Sequence, residues 1–211
     1  MTEQRQQSQS VQTVYVVDDD ASARDSLCWL LGTEKLRTRA FASAAEFLEQ
    51  WSGDWSGCVT LDIRMPDMSG LQVQQELLRR GNRMPIIVLT GHADVPIAIR
   101  AMKLGAYDFL EKPYSDSELL DAVGNALARE RELDLAELER REAMRALENL
   151  TEREREVMCL VVDGLTNKAV AVELGISEKT VEVHRSRVMQ KTGAASFSAL
   201  VQLCLALRQG D

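Results

Sequence analysis

Several features that mark common classes of protein are scarce or missing in this 211-residue sequence. Aromatic residues make up 5% of it, there are two histidines, and none of its four cysteines belongs to a Cys-x-x-Cys pair. Because the histidines and cysteines are few and scattered, we expect free thiols in a reducing cytosol rather than a zinc site or a disulfide framework. The sequence also has no Gly-x-Gly-x-x-Gly or P-loop motif, which argues against a nucleotide-dependent enzyme.

Long apolar runs are missing as well. No segment approaches the roughly 18 apolar residues that cross a membrane, and the opening MTEQRQQSQSVQT lacks the apolar core of a secretory signal. We therefore expect a cytoplasmic protein without a membrane partner, in which residues 1–12 form a flexible tail. Hydrophobic residues at 45% and charged residues at 27% are ordinary for a globular chain, and the length suits two small domains.

The net charge of −8 excludes a protein that coats nucleic acid without specificity. The charge is uneven, however, because the part that follows residue 149 is neutral. Within it, residues 178–192 hold four bases and two acids. A local basic patch of this kind is compatible with binding one DNA site.

The first half of the chain alternates short apolar runs with amphipathic stretches. The pattern predicts strands at 13–17, 36–41, 57–62, 85–90 and 106–110. It predicts helices at 21–32, 44–50, 70–80, 95–104 and from 116 onward. Such alternation indicates an α/β fold with a doubly wound, five-stranded parallel sheet, whose functional crevice lies at the carboxyl ends of the strands.

The second half is predicted to be helical. Residues 126–149 are rich in charge and continue the fifth helix as a long linker; their leucines keep no clean heptad, which favours a solvated helix over a dimeric coiled coil. From residue 150 onward, four short helices follow, and the turn Gly175–Glu178 joins two of them as a helix-turn-helix. The predicted boundaries are thus 13–125, 126–149 and 150–211.

Polar residues follow the predicted strands at the edge where their carboxyl ends meet. A cluster of carboxylates repels itself unless a cation lies among them, and oxygen ligands favour Mg²⁺. A carboxylate nucleophile beside Mg²⁺, with an ammonium and a hydroxyl nearby, is the apparatus for forming an aspartyl phosphate. The residues at this edge are Asp18, Asp19, Asp20, Asp62, Thr90 and Lys112.

These residues lie in motifs that together are specific. Residues 13–125 resemble a two-component receiver domain, which has a CheY-like, flavodoxin-like fold. The resemblance rests on VVDDD (16–20), LDIRMPDMSG (61–70), VLTGHAD (88–94) and AMKLGAYDFLEKPY (101–114).

The resemblance implies a role for most residues of the pocket. Asp62 would be the phosphoacceptor, and Thr90 would hydrogen-bond to the phosphoryl group. Lys112, whose peptide bond to Pro113 is expected to be cis, would contact the same group. Asp18, Asp19, Asp62 and the backbone carbonyl of Arg64 would hold Mg²⁺ or Mn²⁺. Asp20 has no implied role and is expected to cap the first helix. The protein would catalyse only its own phosphorylation and dephosphorylation, so it is not expected to be an enzyme with an external substrate.

The resemblance also implies a switch and a pairing surface. Movement of Thr90 toward the phosphoryl group lets an aromatic side chain turn inward; Phe109 is the candidate and Tyr107 the weaker alternative. The surface around the fourth helix and fifth strand would then form a homodimer. Its predicted residues are Ile97, Ile99, Arg100, Lys103 and Asp108, with a Lys103–Asp108 pair across subunits.

Residues 150–203 resemble a LuxR/NarL-type helix-turn-helix, through LTEREREV, GLTNKAVA and LGISEKTVEVHR. With both halves in this order, the chain resembles response regulators of the FixJ type. That implies a sensor histidine kinase, double-stranded promoter DNA and RNA polymerase as partners. Glu182, Val183 and Ser186 are candidates for reading bases. Further predicted DNA contacts are Lys168, Lys179, Thr180, Arg185, Arg187 and Lys191.

Two other classes fit less well. A phosphatase of the haloacid dehalogenase type needs a second aspartate two residues after its nucleophile, where this sequence has Arg64. A pure interaction protein with a degenerate receiver would not need the complete acidic, hydroxyl and lysine set. The sequence leaves open whether the unphosphorylated receiver covers the DNA-reading helix or only fails to dimerise.

Overall fold

The computed structural model describes residues 12–91 and 95–208, and residues 1–11 of the predicted tail lie outside the described residues. The chain divides into two compact units, Met1–Leu133 and Asp134–Asp211. Each unit has hydrophobic clusters of its own.

The first unit contains a five-stranded sheet. All neighbouring strands are parallel, and their order is β2-β1-β3-β4-β5, which is the flavodoxin-like order. The prediction of a doubly wound parallel sheet is therefore confirmed. The strands are β1 (Thr13–Val17), β2 (Arg37–Phe41), β3 (Gly57–Asp62), β4 (Ile86–Thr90) and β5 (Asp108–Glu111).

Helices cover both faces of this sheet, because alternate residues of the buried strands point to opposite sides. Val14 and Val16 of β1 pack with one cluster, whereas Tyr15 and Val17 pack with the other. The helices are α1 (Ala21–Thr33), α2 (Ala44–Gln50), α3 (Gly70–Arg79), α4 (Val95–Lys103) and α5 (Asp116–Glu148).

The turn before β2 is built without the glycine that such a turn usually needs. Lys35 has φ +58 there, the left-handed conformation that glycine adopts most easily. Its backbone N–H donates to the carbonyl of Gly32 at 3.0 Å, which closes the end of α1.

The predicted linker is part of a single 33-residue helix, α5, and belongs to both units. Ala126, Leu127 and Glu130 are buried in the first unit, where Glu130 Oε1 accepts from the backbone N–H of Gly57 at 3.1 Å. Leu147 packs with the second unit's cluster around Met158. The division between the two units lies inside this helix, between Leu133 and Asp134.

The second unit is helical, as the sequence predicts. Thr151 and Glu154 form a capping box, and Gly175 ends its helix with φ +64, opening the turn of the helix-turn-helix. The helices are α6 (Glu152–Val162), α7 (Asn167–Leu174), α8 (Glu178–Thr192) and α9 (Phe197–Arg208). Among the described residues, no helix is both long and apolar enough to cross a membrane.

Candidate functional site

Three side chains meet at the carboxyl end of the sheet. Asp18 follows β1 directly, Asp62 is the last residue of β3, and Lys112 follows β5. The Lys112 ammonium donates to Asp62 Oδ1 at 2.7 Å and to Asp18 Oδ2 at 2.8 Å. Both aspartates are buried, whereas the lysine side chain is 27% exposed. The pocket therefore opens to solvent on the lysine side.

The backbone fixes the remaining carboxylate oxygens. Asp62 Oδ2 accepts from the N–H of Arg64 at 2.6 Å, and Asp18 Oδ1 accepts from the N–H of Asp20 at 2.9 Å. The peptide bond of Lys112–Pro113 is cis, as expected. The two carboxylates are thus held in place before any ligand binds.

Gly70, the first residue of α3, approaches the same strand end very closely. A Cβ at this position would lie 2.3 Å from the carbonyl oxygen of Asp62, and the N–H of Gly70 donates to the carbonyl of Ile63 at 3.0 Å. A residue with a side chain cannot fit there without moving the backbone of Asp62. Sequence analysis did not identify this role of Gly70; the Ser-Gly pair that opens a helix was the available signal.

Burial and the neighbouring charges both shift the pKa values of the groups in this pocket. Burial raises the pKa of Asp62, and the nearby Asp18 charge adds to this rise, although the hydrogen bond from Lys112 opposes it. Burial alone would lower the pKa of Lys112, but its hydrogen bonds to Asp18 and Asp62 and the charges of these two carboxylates together outweigh burial and raise that pKa. Lys112 is therefore held in its charged form between two carboxylates.

The other two acids of the cluster differ in position. Asp20 caps α1 by accepting from the N–H groups of Ser22 and Ala23, as predicted. Asp19 is exposed, and no group of three or more Asp, Glu, His or Cys side chains in the described residues is arranged around one ion. Asp18 and Asp62, which share the Lys112 ammonium, nevertheless supply the oxygen-rich, negative donor set that suits Mg²⁺.

The predicted switch residues lie beside this pocket. Thr90 ends β4 and is 1% exposed, and its carbonyl accepts from the N–H of Lys112 at 2.7 Å. Phe109 on β5 is half-buried against the core, whereas Tyr107 is 37% exposed. The Phe109 side chain is therefore still partly accessible to solvent.

The predicted pairing surface is largely accessible. Ile99, Arg100 and Lys103 on α4 are exposed, whereas Ile97 is half-buried against the core. Asp108 is half-buried and accepts from the N–H of Phe109 at 2.8 Å.

The predicted DNA-reading residues lie on the outer side of α8. Val181 and Val188, seven residues apart on one face of α8, are buried, so the opposite face is exposed. Thr180 is half-buried, as is His184, whose Nδ1 is buried with no hydrogen-bond partner among the described residues. The exposed predicted contacts are Lys168 on α7 and Lys179, Glu182, Val183, Ser186, Arg187 and Lys191 on α8.

Two of the predicted DNA contacts are engaged inside the unit. Arg185 Nη1 donates to Asn167 Oδ1 at 2.6 Å, and its guanidinium lies 5.7 Å from the ring centroid of Phe197. Lys191 Nζ donates to Glu154 Oε2 at 2.6 Å. Sequence analysis identified neither Asn167 nor Glu154 as a partner, since the pattern of one helix does not show which helix packs on it.

Comparisons with known proteins agree with this architecture. Residues 14–124 match the response regulator receiver domain family, and residues 148–204 match the bacterial regulatory proteins of the LuxR family. The transcriptional regulatory protein FixJ of Azorhizobium caulinodans is 46% identical over 91% of this chain and 91% of its own length. The transcriptional regulatory protein TdiR of Thauera aromatica is 46% identical over 92% of this chain and 85% of its own.

Solved structures show the same likeness. The response regulator StyR is 41% identical, with a TM-score of 0.83 over 93% of this chain and 99% of its own. Full-length FixJ from B. japonicum is 38% identical, with a TM-score of 0.58 over 94% of this chain and 98% of its own.

Proposed function

Because this chain belongs to the response regulators that join a receiver domain to a LuxR-type DNA-binding domain, we propose that Asp62 accepts a phosphoryl group from a partner sensor histidine kinase. A carboxylate oxygen of Asp62 attacks phosphorus while the bond from phosphorus to the kinase imidazole breaks. The imidazole leaves with its electron pair and takes up a proton. The receiver thus catalyses its own modification and, by hydrolysis, its reversal.

Lys112 offsets the negative charge of the phosphoryl group in this step. Its ammonium is already 2.7 Å from Asp62, so it is placed to pair with a phosphoryl oxygen that forms there. Asp18, Asp19, Asp62 and the Arg64 carbonyl would hold Mg²⁺ or Mn²⁺, which supplies neutralising charge to the transferring phosphoryl oxygens. Desolvation and the Asp18 charge both raise the pKa of Asp62, so an added cation favours its nucleophilic, ionised form.

The output of phosphorylation is a change in the surface around α4 and β5. The Thr90 hydroxyl moves to the new phosphoryl group, and Phe109 turns into the space that it leaves. The altered surface, with Ile97, Ile99 and Arg100, forms a homodimer, in which Lys103 of one subunit pairs with Asp108 of the other. This is a shift between two populations of one fold.

Dimerisation delivers two recognition helices to one promoter. A single small domain makes few contacts, so a pair on DNA gains much of its affinity from effective concentration. We propose base contacts by Glu182, Val183 and Ser186 in the major groove. Lys168, Lys179, Thr180 and Arg187 contact phosphates or neighbouring bases. The bound dimer regulates transcription by RNA polymerase, and a promoter target places this work in the cytoplasm.

The observation that carries this proposal is the triad Asp18–Lys112–Asp62 at the carboxyl end of the sheet. Its test is intact-mass spectrometry of the full chain after incubation with acetyl phosphate and Mg²⁺. We expect the wild type to gain one phosphoryl group and Asp62→Asn to gain none. Asp20→Asn removes a charge from the same cluster but keeps the helix cap, so it should be labelled like the wild type. Undiminished labelling of Asp62→Asn would remove Asp62 as the acceptor.

A further inference from the structure

Two charged side chains of the recognition helix α8 connect it to α6, α7 and α9. Arg185 connects it to Asn167 on α7 and to Phe197 on α9, and Lys191 connects it to Glu154 on α6. Both residues count among the cations that the sequence pattern assigns to DNA. Their contacts within the unit instead hold α8 against the neighbouring helices.

The contacts of Arg185 with Asn167 and Phe197, which we call the Arg185 clamp, hold the two helices of the helix-turn-helix together. Arg185 and Asn167 are both half-buried, and their 2.6 Å hydrogen bond fixes the start of α7 against the middle of α8. The guanidinium plane also lies near the Phe197 ring, a contact that a lysine reproduces poorly because it lacks a planar, delocalised cation. Swinging the guanidinium out of this position toward a phosphate would break both contacts.

The contact between Lys191 and Glu154, the Lys191 clamp, holds the C-terminal end of α8. Its partner Glu154 has a side chain that is only 3% exposed and also accepts from the N–H of Thr151 at 2.9 Å. The hydrogen bonds from Lys191, first, and from Thr151 together lower the pKa of Glu154 to about 2, so this acid stays ionised. Withdrawing Lys191 toward DNA would leave a buried carboxylate without a cation, which is strongly unfavourable.

We propose that Arg185 and Lys191 are positioning residues that set the angle of α8 for reading DNA, and that neither is a DNA ligand. This inference rests on the proposed function, since it concerns how the second unit binds promoter DNA. The cations that then contact phosphates are above all Lys168, Lys179 and Arg187. The specificity of α8 depends on two residues that touch no base.

The dependence of DNA affinity on salt separates a phosphate ligand from a positioning residue. Each lost phosphate contact lowers the slope of log affinity against log salt by about 0.9. We would measure binding of the phosphorylated full chain to a labelled duplex of mixed sequence over a range of salt concentrations. Arg185→Gln and Lys191→Gln should therefore show the same slope as the wild type. Lys179→Gln, the matched control on the same helix, should lose about 0.9 per subunit. An equal loss of slope in either clamp variant would overturn the proposal for that residue.

Base preference tests positioning against a purely structural role. The wild type first selects its preferred duplexes from a randomised pool. The ratio of affinities for selected over unselected duplexes should be several-fold smaller in Arg185→Gln and Lys191→Gln, measured at a temperature where circular dichroism shows each variant folded. Arg185→Lys keeps the charge but loses the clamp, so it should discriminate as poorly as Arg185→Gln. Wild-type discrimination in Arg185→Lys would overturn the role of the Asn167 and Phe197 contacts.

One further measurement keeps the clamp separate from DNA binding itself. Hydrogen exchange of α6 and α8 in the full chain, followed in Glu154→Gln, Lys191→Gln and the double variant, should show losses of protection that are not additive. Additive losses would overturn the clamp. If the variants lose protection non-additively but the phosphorylated wild type binds no DNA, the clamp stands and the proposed function is contradicted.

Discussion

The ammonium of Lys112 lies 2.7 Å from Asp62 Oδ1, although the two residues are 50 positions apart in the chain. The parallel sheet makes this possible, because β3 and β5 end at the same edge. The same ammonium neutralises Asp18, so two buried carboxylates depend on one cation. This dependence links the stability of the receiver to its chemistry.

Removing that cation should destabilise the receiver. Lys112→Met leaves two buried acids facing each other, and losing a hydrogen-bonding partner of buried charged groups costs about 1–3 kcal/mol. Urea unfolding followed by tryptophan fluorescence measures this cost, since all three tryptophans belong to the first unit. Lys103→Met, at an exposed lysine, is the control and should change the unfolding free energy by less than about 0.5 kcal/mol. Equal changes of the unfolding free energy in Lys112→Met and Lys103→Met would show that Lys112 does not stabilise the two buried carboxylates.

The same variant should change the dependence of stability on pH. The pKa of Asp62 is raised in the folded protein, so the folded state binds more protons than the unfolded state as this group titrates, and its contribution to stability falls as pH rises. Loss of Lys112 removes an interaction that lowers this pKa, so the fall should extend to higher pH. Comparing wild type and Lys112→Met between acid and neutral pH tests this; a constant difference would contradict it.

Gly70→Ala should damage the pocket without touching a charge. Its Cβ would lie 2.3 Å from the Asp62 carbonyl oxygen, so the strand end or α3 must shift, at a cost of at least about 2 kcal/mol. Phosphorylation by acetyl phosphate should slow by about tenfold or more, because a displacement near 1 Å has that effect on a reacting group.

The matched control for this change is Gly32→Ala. Gly32 lies in α1, where a Cβ would have nothing within 4 Å, and alanine is the better helix former by about 0.5–1 kcal/mol. The change should stabilise the receiver and leave the rate of phosphorylation unaltered. Normal phosphorylation of Gly70→Ala would show that the tight contact does not position Asp62.

Phe109→Leu should separate phosphorylation from its output. Leucine keeps an apolar contact with the core but has no ring to turn inward. We expect normal labelling of Asp62 and dimerisation weakened by about tenfold, which is about 1.4 kcal/mol and within the range of known couplings. Sedimentation equilibrium of the labelled proteins measures this. If Phe109→Leu dimerises normally and Tyr107→Leu does not, Tyr107 is the switch residue instead.

Glu154 gives the second unit its own dependence on pH. Its pKa is lowered from 4.5 to about 2, so its contribution to stability is fully present above pH 4.5 and is lost as pH falls toward 2. Glu154→Gln keeps a capping oxygen but loses the charge. The difference in hydrogen exchange of α6 between wild type and Glu154→Gln should therefore shrink as pH falls from 4.5 to about 2. A difference that persists at the acid end of this range would exclude the Lys191 pair as its cause.

The sheet and its pocket are predictable from sequence because they obey local rules. Apolar runs bounded by Asp, Gly or Pro indicate the strands, and parallel strands bring their carboxyl ends to one edge, which already places Asp18, Asp62 and Lys112 together. The caps at Asp20 and Thr151 follow from patterns of three or four residues.

Contacts between helices are harder to predict, because they depend on packing that no single segment encodes. Nothing in α8 alone shows that Arg185 meets Asn167 or that Lys191 meets Glu154, so charge alone assigns both cations to DNA. The unit boundary inside α5 has the same origin: Glu130 looks like one more linker acid until its contact with Gly57 is seen. Lys35 in place of a glycine shows that a left-handed turn can also be imposed by its surroundings.

Sedimentation velocity of the full chain with Mg²⁺, before and after addition of acetyl phosphate, tests the central claim most directly. We predict that the wild type shifts from monomer to dimer only after the donor is added, and that Asp62→Asn stays monomeric. A wild type whose mass shows the phosphoryl group but whose sedimentation does not change would contradict dimerisation as the output. The unphosphorylated receiver would then have to act by covering the DNA-reading helix.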